Sequence, residues 1–335
     1  MKADEALAKY EAWLVRERKA PLTIESYVGW VDRFFKFSRG RLGGVEERIS
    51  DFLSSYQKHS EATVLQALNA LAGKSGFYAA MERPLAVLPP WVNPTRPANI
   101  PAWVTVAETE AILIHLVETW AMLAGLLFGS GLRIGECVSL RWRDIDFERL
   151  TVTIRRGKGK KDRVTVLSRR LVEPLKARVA RCKALWEEDR VRRRPGVAMP
   201  EGMDRKFSGC GEDWAFFWVF PAAGESVDPV SGILRRHHVH EKSFGKALRV
   251  AVKRAGVPKR VTAHTFRHGF ATCYLLAGGN MRELQRLMGH RHMETTEIYL
   301  HCLPVQMDRI GSPWDVAPVA VAVPENIISP NFKIA

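Results

Sequence analysis

Apolar residues recur at helical spacing through the first quarter of the chain. Tyr10, Trp13 and Leu14 form one stripe, and Tyr27, Trp30, Val31, Phe34 and Phe35 form a second; both follow the period of an amphipathic helix. Ser60 stands ahead of Val64, Leu65, Leu68 and Leu71, as an N-cap stands ahead of a helix. Large apolar side chains favour the interior, so these aromatics read as core and residues 1–83 as an all-helical domain. The pattern then stops. Pro84, Pro89, Pro90, Pro94, Pro97 and Pro101 punctuate 84–101. Proline fixes φ and removes a donor, which bars helix and central strand alike, so this stretch is predicted to be an extended linker.

The period resumes after the prolines. Thr105-Val-Ala-Glu108 is a capping box. Trp120, Leu123, Leu126 and Leu127 predict a helix over 119–128 that runs into Gly129-Ser130-Gly131, with another helix around Gly135–Leu140. Leu150–Arg155 and Arg163–Leu167 alternate apolar and polar residues, which predicts two strands, joined by a hairpin turn at Gly157-Lys158-Gly159. The remainder reads as mostly helical, apart from 190–230. There Arg190, Arg192, Arg193 and Arg194 lie near several glycines and an aromatic knot of Trp214, Phe216, Phe217, Trp218 and Phe220. The fold class is therefore mostly α with a small antiparallel β-sheet. A catalytic-type domain spans 102–312, and 313–335, with Pro313, Pro318, Pro324 and Pro330, reads as a flexible tail.

Charge changes the picture more than composition does. The 335 residues carry a formal net charge of +15, and 46% are hydrophobic, enough for two packed domains. A balance this basic points to a polyanionic partner, nucleic acid first. Cys137, Cys182, Cys210, Cys273 and Cys302 are odd in number and widely spaced, as in a protein that keeps free thiols in a reducing compartment. The start, Met-Lys-Ala-Asp-Glu-Ala-Leu, has acids where a signal peptide would be basic and then apolar. No apolar run reaches the roughly 20 residues that span a bilayer. These features predict a cytoplasmic protein with no membrane partner.

Four short boxes concentrate the chemistry: Gly-Ser-Gly-Leu-Arg-Ile-Gly-Glu (129–136), Gly-Lys-Gly-Lys-Lys-Asp-Arg (157–163), His-Thr-Phe-Arg-His (264–268) and Leu-Met-Gly-His-Arg-His-Met-Glu-Thr-Thr-Glu-Ile-Tyr-Leu-His (287–301). A phosphodiester under attack gathers negative charge on its non-bridging oxygens, which fixed donors must meet. Arg133 and Arg267 suit this, because guanidinium is always charged and grips phosphate with two prongs. His264 shares a helical face with Arg267. His290 follows a glycine that lets backbone approach a ligand. Tyr299 is the candidate nucleophile. Its phenol needs a proton acceptor at neutral pH, and His264 or His290 is a candidate for that task. A lysine in the 157–163 turn can protonate the departing oxygen: Lys158, with Lys160 and Lys161 as rivals. No phosphate-binding loop for ATP, structural zinc spacing or acidic two-metal cluster is present, so neither cofactor nor metal is expected.

As a set, these boxes resemble the tyrosine recombinase (phage integrase) family over about 5–312, and the resemblance selects Lys158 from the three lysines. A closer likeness is to the integron integrases, which carry an insertion ahead of the His-x-x-Arg box, here at about 186–213. Phe217-Trp-Val-Phe-Pro and Asp228-Pro-Val-Ser-Gly-Ile-Leu-Arg-Arg-His-His238 follow it and are much like that subgroup. The resemblance implies a C-shaped clamp of a helical core-binding domain and a catalytic domain. It also implies Arg133, Lys158, His264, Arg267 and His290 around the nucleophile Tyr299, a 3′-phosphotyrosine intermediate, and no metal or ATP. The implied partner is DNA, both duplex and a single strand folded into a hairpin with flipped-out bases, bound by a homo-tetramer that exchanges its C-terminal segments in a bacterial nucleoid. Pro229, His237 and His238 match base-contacting positions, and Phe216, Trp218, Arg235 and Arg236 complete the implied DNA-contact set. Phe216 stands where related sequences carry Trp. The alternatives are a conventional duplex-specific recombinase or phage integrase, and a catalytically silent DNA-binding protein.

Overall fold

The computed structural model describes residues 3–83, 85, 101–155, 162–199, 203, 207 and 209–302. Most of the proline-rich linker, the 157–161 turn with Lys158, parts of the 186–213 insertion and the C-terminal tail lie outside the described residues. The chain divides into two compact units, Met1–Asn99 and Ile100–Ala335.

The first unit is helical: α1 (Ala3–Arg16), α2 (Pro21–Ser38), α3 (Val45–Ser54), α4 (Glu61–Ala72) and a single turn, α5 (Phe77–Ala80). The stripes meet in one core. Tyr10, Leu14, Val31, Phe34, Leu53 and Leu71 are buried, with Tyr27 and Phe35 packed against them. Tyr10 keeps its hydroxyl inside because the carbonyls of Ala70 and Ser75 accept it, at 3.2 and 2.8 Å. Ser60 caps α4 by accepting from the Thr63 amide.

The second unit opens with α6 (Val106–Leu113), α7 (Glu118–Ser130) and α8 (Ile134–Val138). Thr105 and Glu108 form the capping box of α6. β1 (Ile145–Asp146), β2 (Thr151–Ile154) and β3 (Arg163–Val166) make an antiparallel sheet in that order, with Val152 opposite Thr165. α9 (Val172–Val191) follows, then a hairpin of β4 (Pro221–Val227) and β5 (Leu234–His238). α10 (Glu241–Arg254), α11 (Ala263–Leu276), α12 (Met281–Met288) and α13 (Glu294–Glu297) complete it. The core runs through Leu123, Leu126, Leu127, Val152, Leu175, Phe220, Phe244 and Phe266. Phe270, Leu284, Met288 and Tyr299 form a second cluster.

β5 departs from the expectation of helix beyond 230, and β4 falls in the 190–230 stretch excepted from it. β5 reads Leu-Arg-Arg-His-His and β4 carries Pro, Gly and two Ala, so neither shows the apolar alternation of a strand. A buried ion cluster holds the hairpin instead. Asp189, at the end of α9, accepts from Arg236 at 2.6 and 2.8 Å and from Arg194 at 2.6 Å. Arg236 also donates to the carbonyls of Ala222 and Ala223 across the hairpin, at 2.8 and 2.7 Å. Arg194 reaches Glu225 of β4 at 3.3 Å. One carboxylate thus ties α9, the insertion and both strands together.

Removing one partner of a buried ion cluster strands the others and costs about 3–5 kcal/mol. Asp189→Ala is expected to lower the urea stability of the second unit by that amount. A loss below about 0.5 kcal/mol, the scale of an ordinary surface substitution, would contradict this role.

Candidate active site

The end of α7 sets the site. Gly131 closes that helix with φ +65°, a conformation that favours glycine. A Cβ there would lie 2.4 Å from the Phe270 ring of α11, so the two helices meet at glycine-only distance. Arg133 follows as the N-cap of α8. Its backbone N–H and its guanidinium both donate to Glu136, at 2.8 and 2.9 Å.

Glu136 is the hub. Arg163, at the start of β3, donates to both its oxygens at 2.8 and 2.6 Å, and Arg267 stands 3.9 Å away. Burial pushes the Glu136 carboxyl up, but the Arg163 bonds outweigh it, with help from Arg133, and hold it at about 2. Each arginine reaches on to backbone. Arg163 donates to the Leu287 carbonyl at 2.9 Å and Arg133 to that of Gly289 at 3.4 Å. Arg267 donates to the carbonyls of Gly131 and Met288. Gly289 has φ +63°, and a Cβ there would meet the Arg163 side chain at 2.8 Å. The loop carrying His290 is therefore moulded onto the arginines.

Arg267 is 5% exposed. Burial and the neighbouring Arg133 lower its pKa to about 9. It donates to His290 Nε2 at 3.2 Å, and His290 Nδ1 lies 2.9 Å from Thr296 Oγ1. Because Nε2 accepts, the ring is neutral and Nδ1–H donates to Thr296. Burial and the three nearby arginines agree, holding His290 at about 3. His264 sits one turn before Arg267 and lines a cleft with Arg133, Arg143, Phe216 and Trp218. Burial and Arg267 lower its pKa.

Tyr299 is buried, 2% exposed, on the Leu284–Met288 cluster. Burial raises its phenol to about 12, with Arg267 and Arg133 pulling the other way. Its hydroxyl lies 3.0 Å from His268 Nδ1. The two histidines expected to serve it are placed otherwise. The His290 ring is stacked at 6.3 Å and occupied at both nitrogens, and no hydrogen bond joins His264 to the phenol among those the structure shows. Five expected residues, Arg133, His264, Arg267, His290 and Tyr299, thus gather in one place; Lys158 lies outside the described residues. Glu136, Arg163 and His268 were missed, although each stands in one of the four boxes.

The implied DNA-contact set divides. Pro229, His237 and His238 line a cleft of about 490 Å³ with Trp120 and Ser243. Pro229 is exposed, and His237 Nε2 is buried with no hydrogen-bond partner. Phe216 lies under the Arg143 guanidinium at 4.2 Å, on the other cleft. Arg235 and Arg236 need correction. Trp218 is buried beneath Arg141 and donates to the Arg236 carbonyl at 3.2 Å. Arg236 is spent on Asp189, and buried Arg235 faces Asp228 and Ser231. Arg235 and Arg236 hold the hairpin and offer nothing outward, while Trp218, though buried, still forms part of the lining of the Arg133 cleft. The aromatic knot likewise gives Phe217, Trp218 and Phe220 to the core.

A model of the phage integrase family matches residues 102–304. An integrase/recombinase of Escherichia coli is 38% identical over 305 residues, covering 88% of this chain and 89% of that protein. Tyrosine recombinase XerA of Thermococcus onnurineus is 29% identical over 307 residues, covering 88% and 90%. Among solved structures, XerH site-specific recombinase bound to palindromic difH substrate in a post-cleavage complex superposes with a TM-score of 0.58. The two are 19% identical over 84% of this chain and 76% of that one, which supports the shared fold.

The hub yields a pH prediction. Glu136 titrates at about 2, below the ~4.3 of a free glutamate, a gap of roughly 3 kcal/mol. A depressed carboxyl stabilises the fold fully above its unfolded pKa and loses that contribution as pH falls through the folded value. Glu136→Gln is expected to be less stable than wild type by about that amount at neutral pH, with the difference shrinking from about pH 5 to about pH 2. Urea titrations across this range check it; a difference independent of pH contradicts it.

Proposed function

The chain belongs to the phage integrase family, the tyrosine recombinases that cut and rejoin DNA at specific sites, and on that premise we propose that it is an integron-type integrase acting on folded single-stranded hairpins. The observation that carries the chemistry is the convergence of Arg133, Arg267, His264 and His290 beside the buried Tyr299. Donors fixed before substrate arrives are worth more than mobile ones, because they need no reorganisation as charge develops.

In this reading the scissile phosphate sits on Arg133 and Arg267. The two arginines meet its non-bridging oxygens with paired N–H groups. His264 lends a further donor. His290 is aligned by Thr296 and held against Arg267. Tyr299 attacks phosphorus and becomes joined to the 3′ phosphate, while a 5′ hydroxyl leaves with a proton from Lys158. A 5′ hydroxyl from a second strand then reverses the step. The bond energy is kept in the phosphotyrosine link, so rejoining requires no ATP. Four copies work together on two sites, exchanging C-terminal segments, in a bacterial cytoplasm.

The integron assignment is supported by the insertion and its attachment. Arg194 is fixed to Asp189, and Arg141 donates to the Ala198 and Phe216 carbonyls at 2.6 and 2.7 Å. The insertion thereby braces the hairpin that offers Pro229, His237 and His238 to a cleft. An imidazole ring and a proline face lining one cleft suit an extrahelical base, whose stacking is worth about 1–3 kcal/mol.

The test compares a labelled single-strand hairpin and a fully paired duplex of the same stem, with a trapping nick near the cleavage point, on a denaturing gel. The reading predicts a covalent adduct on the hairpin exceeding that on the duplex. His237→Ala is expected to weaken hairpin binding roughly tenfold, within the 1–3 kcal/mol of one stacked base, and to leave duplex binding unchanged. An adduct on duplex alone would make this a conventional duplex-specific recombinase.

A further inference from the structure

We propose that His268 is the group that takes the proton from Tyr299 when the phenol attacks phosphorus. This rests on Tyr299 being the nucleophile, as proposed above. The six positions implied by the family resemblance do not include His268. The hydrogen bond that the structure gives the phenol runs to His268 Nδ1 at 3.0 Å, within the reach a general base needs. The candidates named from sequence are engaged elsewhere. His290 Nε2 accepts from Arg267 and its Nδ1–H is committed to Thr296, so it has no lone pair left for a phenolic proton. The His264 ring stands edge-on to His268 at 6.4 Å, on the side that lines the Arg133 cleft.

The placement follows from helix geometry. His264, Arg267 and His268 fall at i, i+3 and i+4 on α11 and so share one face. The groups around His268 are His264 and Arg267 on its own helix, with His290 and Tyr299 from the segments packed against it. None of these is an anion that would hold a proton on the ring. Burial and then His264 lower its pKa to about 4, so it is neutral at neutral pH and Nδ1 can offer a lone pair. A bound phosphodiester brings negative charge to Arg267 and Arg133 and offsets the repulsion that keeps the ring neutral. The step balances. The Tyr299 Oη–P bond forms and the P–O5′ bond breaks, its electron pair leaving on O5′, which takes a proton from the general acid. The phenolic proton moves to Nδ1. On rejoining, the imidazolium returns that proton to the departing phenolic oxygen.

The experiment uses the full chain and measures single-turnover adduct formation on whichever probe, hairpin or duplex, the wild type cleaves. Each probe is made with an ordinary phosphate and with sulfur replacing the bridging 5′ oxygen, which leaves without a general acid. Wild type, Tyr299→Phe, His268→Ala and His268→Asn are compared. His268→Ala is expected to slow adduct formation about 10²-fold, the lower range for a general base, on both probes, with DNA binding intact. Added imidazole should restore part of the rate, an effect a merely structural role would not give. His268→Asn, which keeps a polar side chain but cannot accept the proton, should stay slow, and the wild-type rate should fall as pH drops and the ring is protonated. Rates within twofold of wild type for both variants would overturn the proposal, and so would full recovery on the sulfur probe. An adduct from Tyr299→Phe would overturn the nucleophile assignment beneath it, whatever His268 does.

Discussion

Everything in the site hangs on one carboxylate. Three guanidiniums placed this close repel one another, and burial of Arg267 makes the repulsion dear. Glu136 makes the arrangement stable by accepting from Arg133 and Arg163 and standing 3.9 Å from Arg267. A buried cluster of this kind adds little net stability against an apolar replacement, but it fixes geometry. Here it aims Arg133 and Arg267 and leaves their positive charge in excess over the single anion. A site with spare, fixed cationic donors is what an anionic transition state requires. The same arginines reach the Leu287, Met288 and Gly289 carbonyls. The β-sheet, α11 and the His290 loop are thus locked to one point.

A second buried carboxylate plays the corresponding part for the β4–β5 hairpin. Asp189 joins the end of α9, the insertion and the β4–β5 hairpin through Arg194 and Arg236. The arginine cluster and the β4–β5 hairpin are built on separate hubs within one unit.

Much of this was legible in the residues. The aromatic stripes of α1 and α2, the Ser60 and Thr105 caps and the alternation of β2 and β3 are local signals, and the structure follows them. Arg133, His264, Arg267, His290 and Tyr299 stood out because their boxes pair charge with glycine at set spacings. What escaped depends on contacts between distant segments. Glu136 looks like a surface ion-pair partner until Arg163 and Arg267 arrive from other elements. The β4–β5 hairpin has no apolar period because buried arginines hold it. Arg235 and Arg236 looked like DNA contacts, and only their burial on Asp228 and Asp189 shows otherwise. His268 had a usable signal, its four-residue spacing from His264, but its hydrogen bond to Tyr299 appears only once the segment after α12 is packed.

The most direct test of the central claim is to identify the residue that becomes bonded to DNA. Wild-type protein would be trapped on a nicked probe without metal or ATP and digested with protease and nuclease, and the nucleotide-bearing peptide sequenced by mass spectrometry. The account predicts a nucleotide joined through its 3′ phosphate to Tyr299. Attachment to any other residue, or cleavage that leaves no linked peptide, would contradict it.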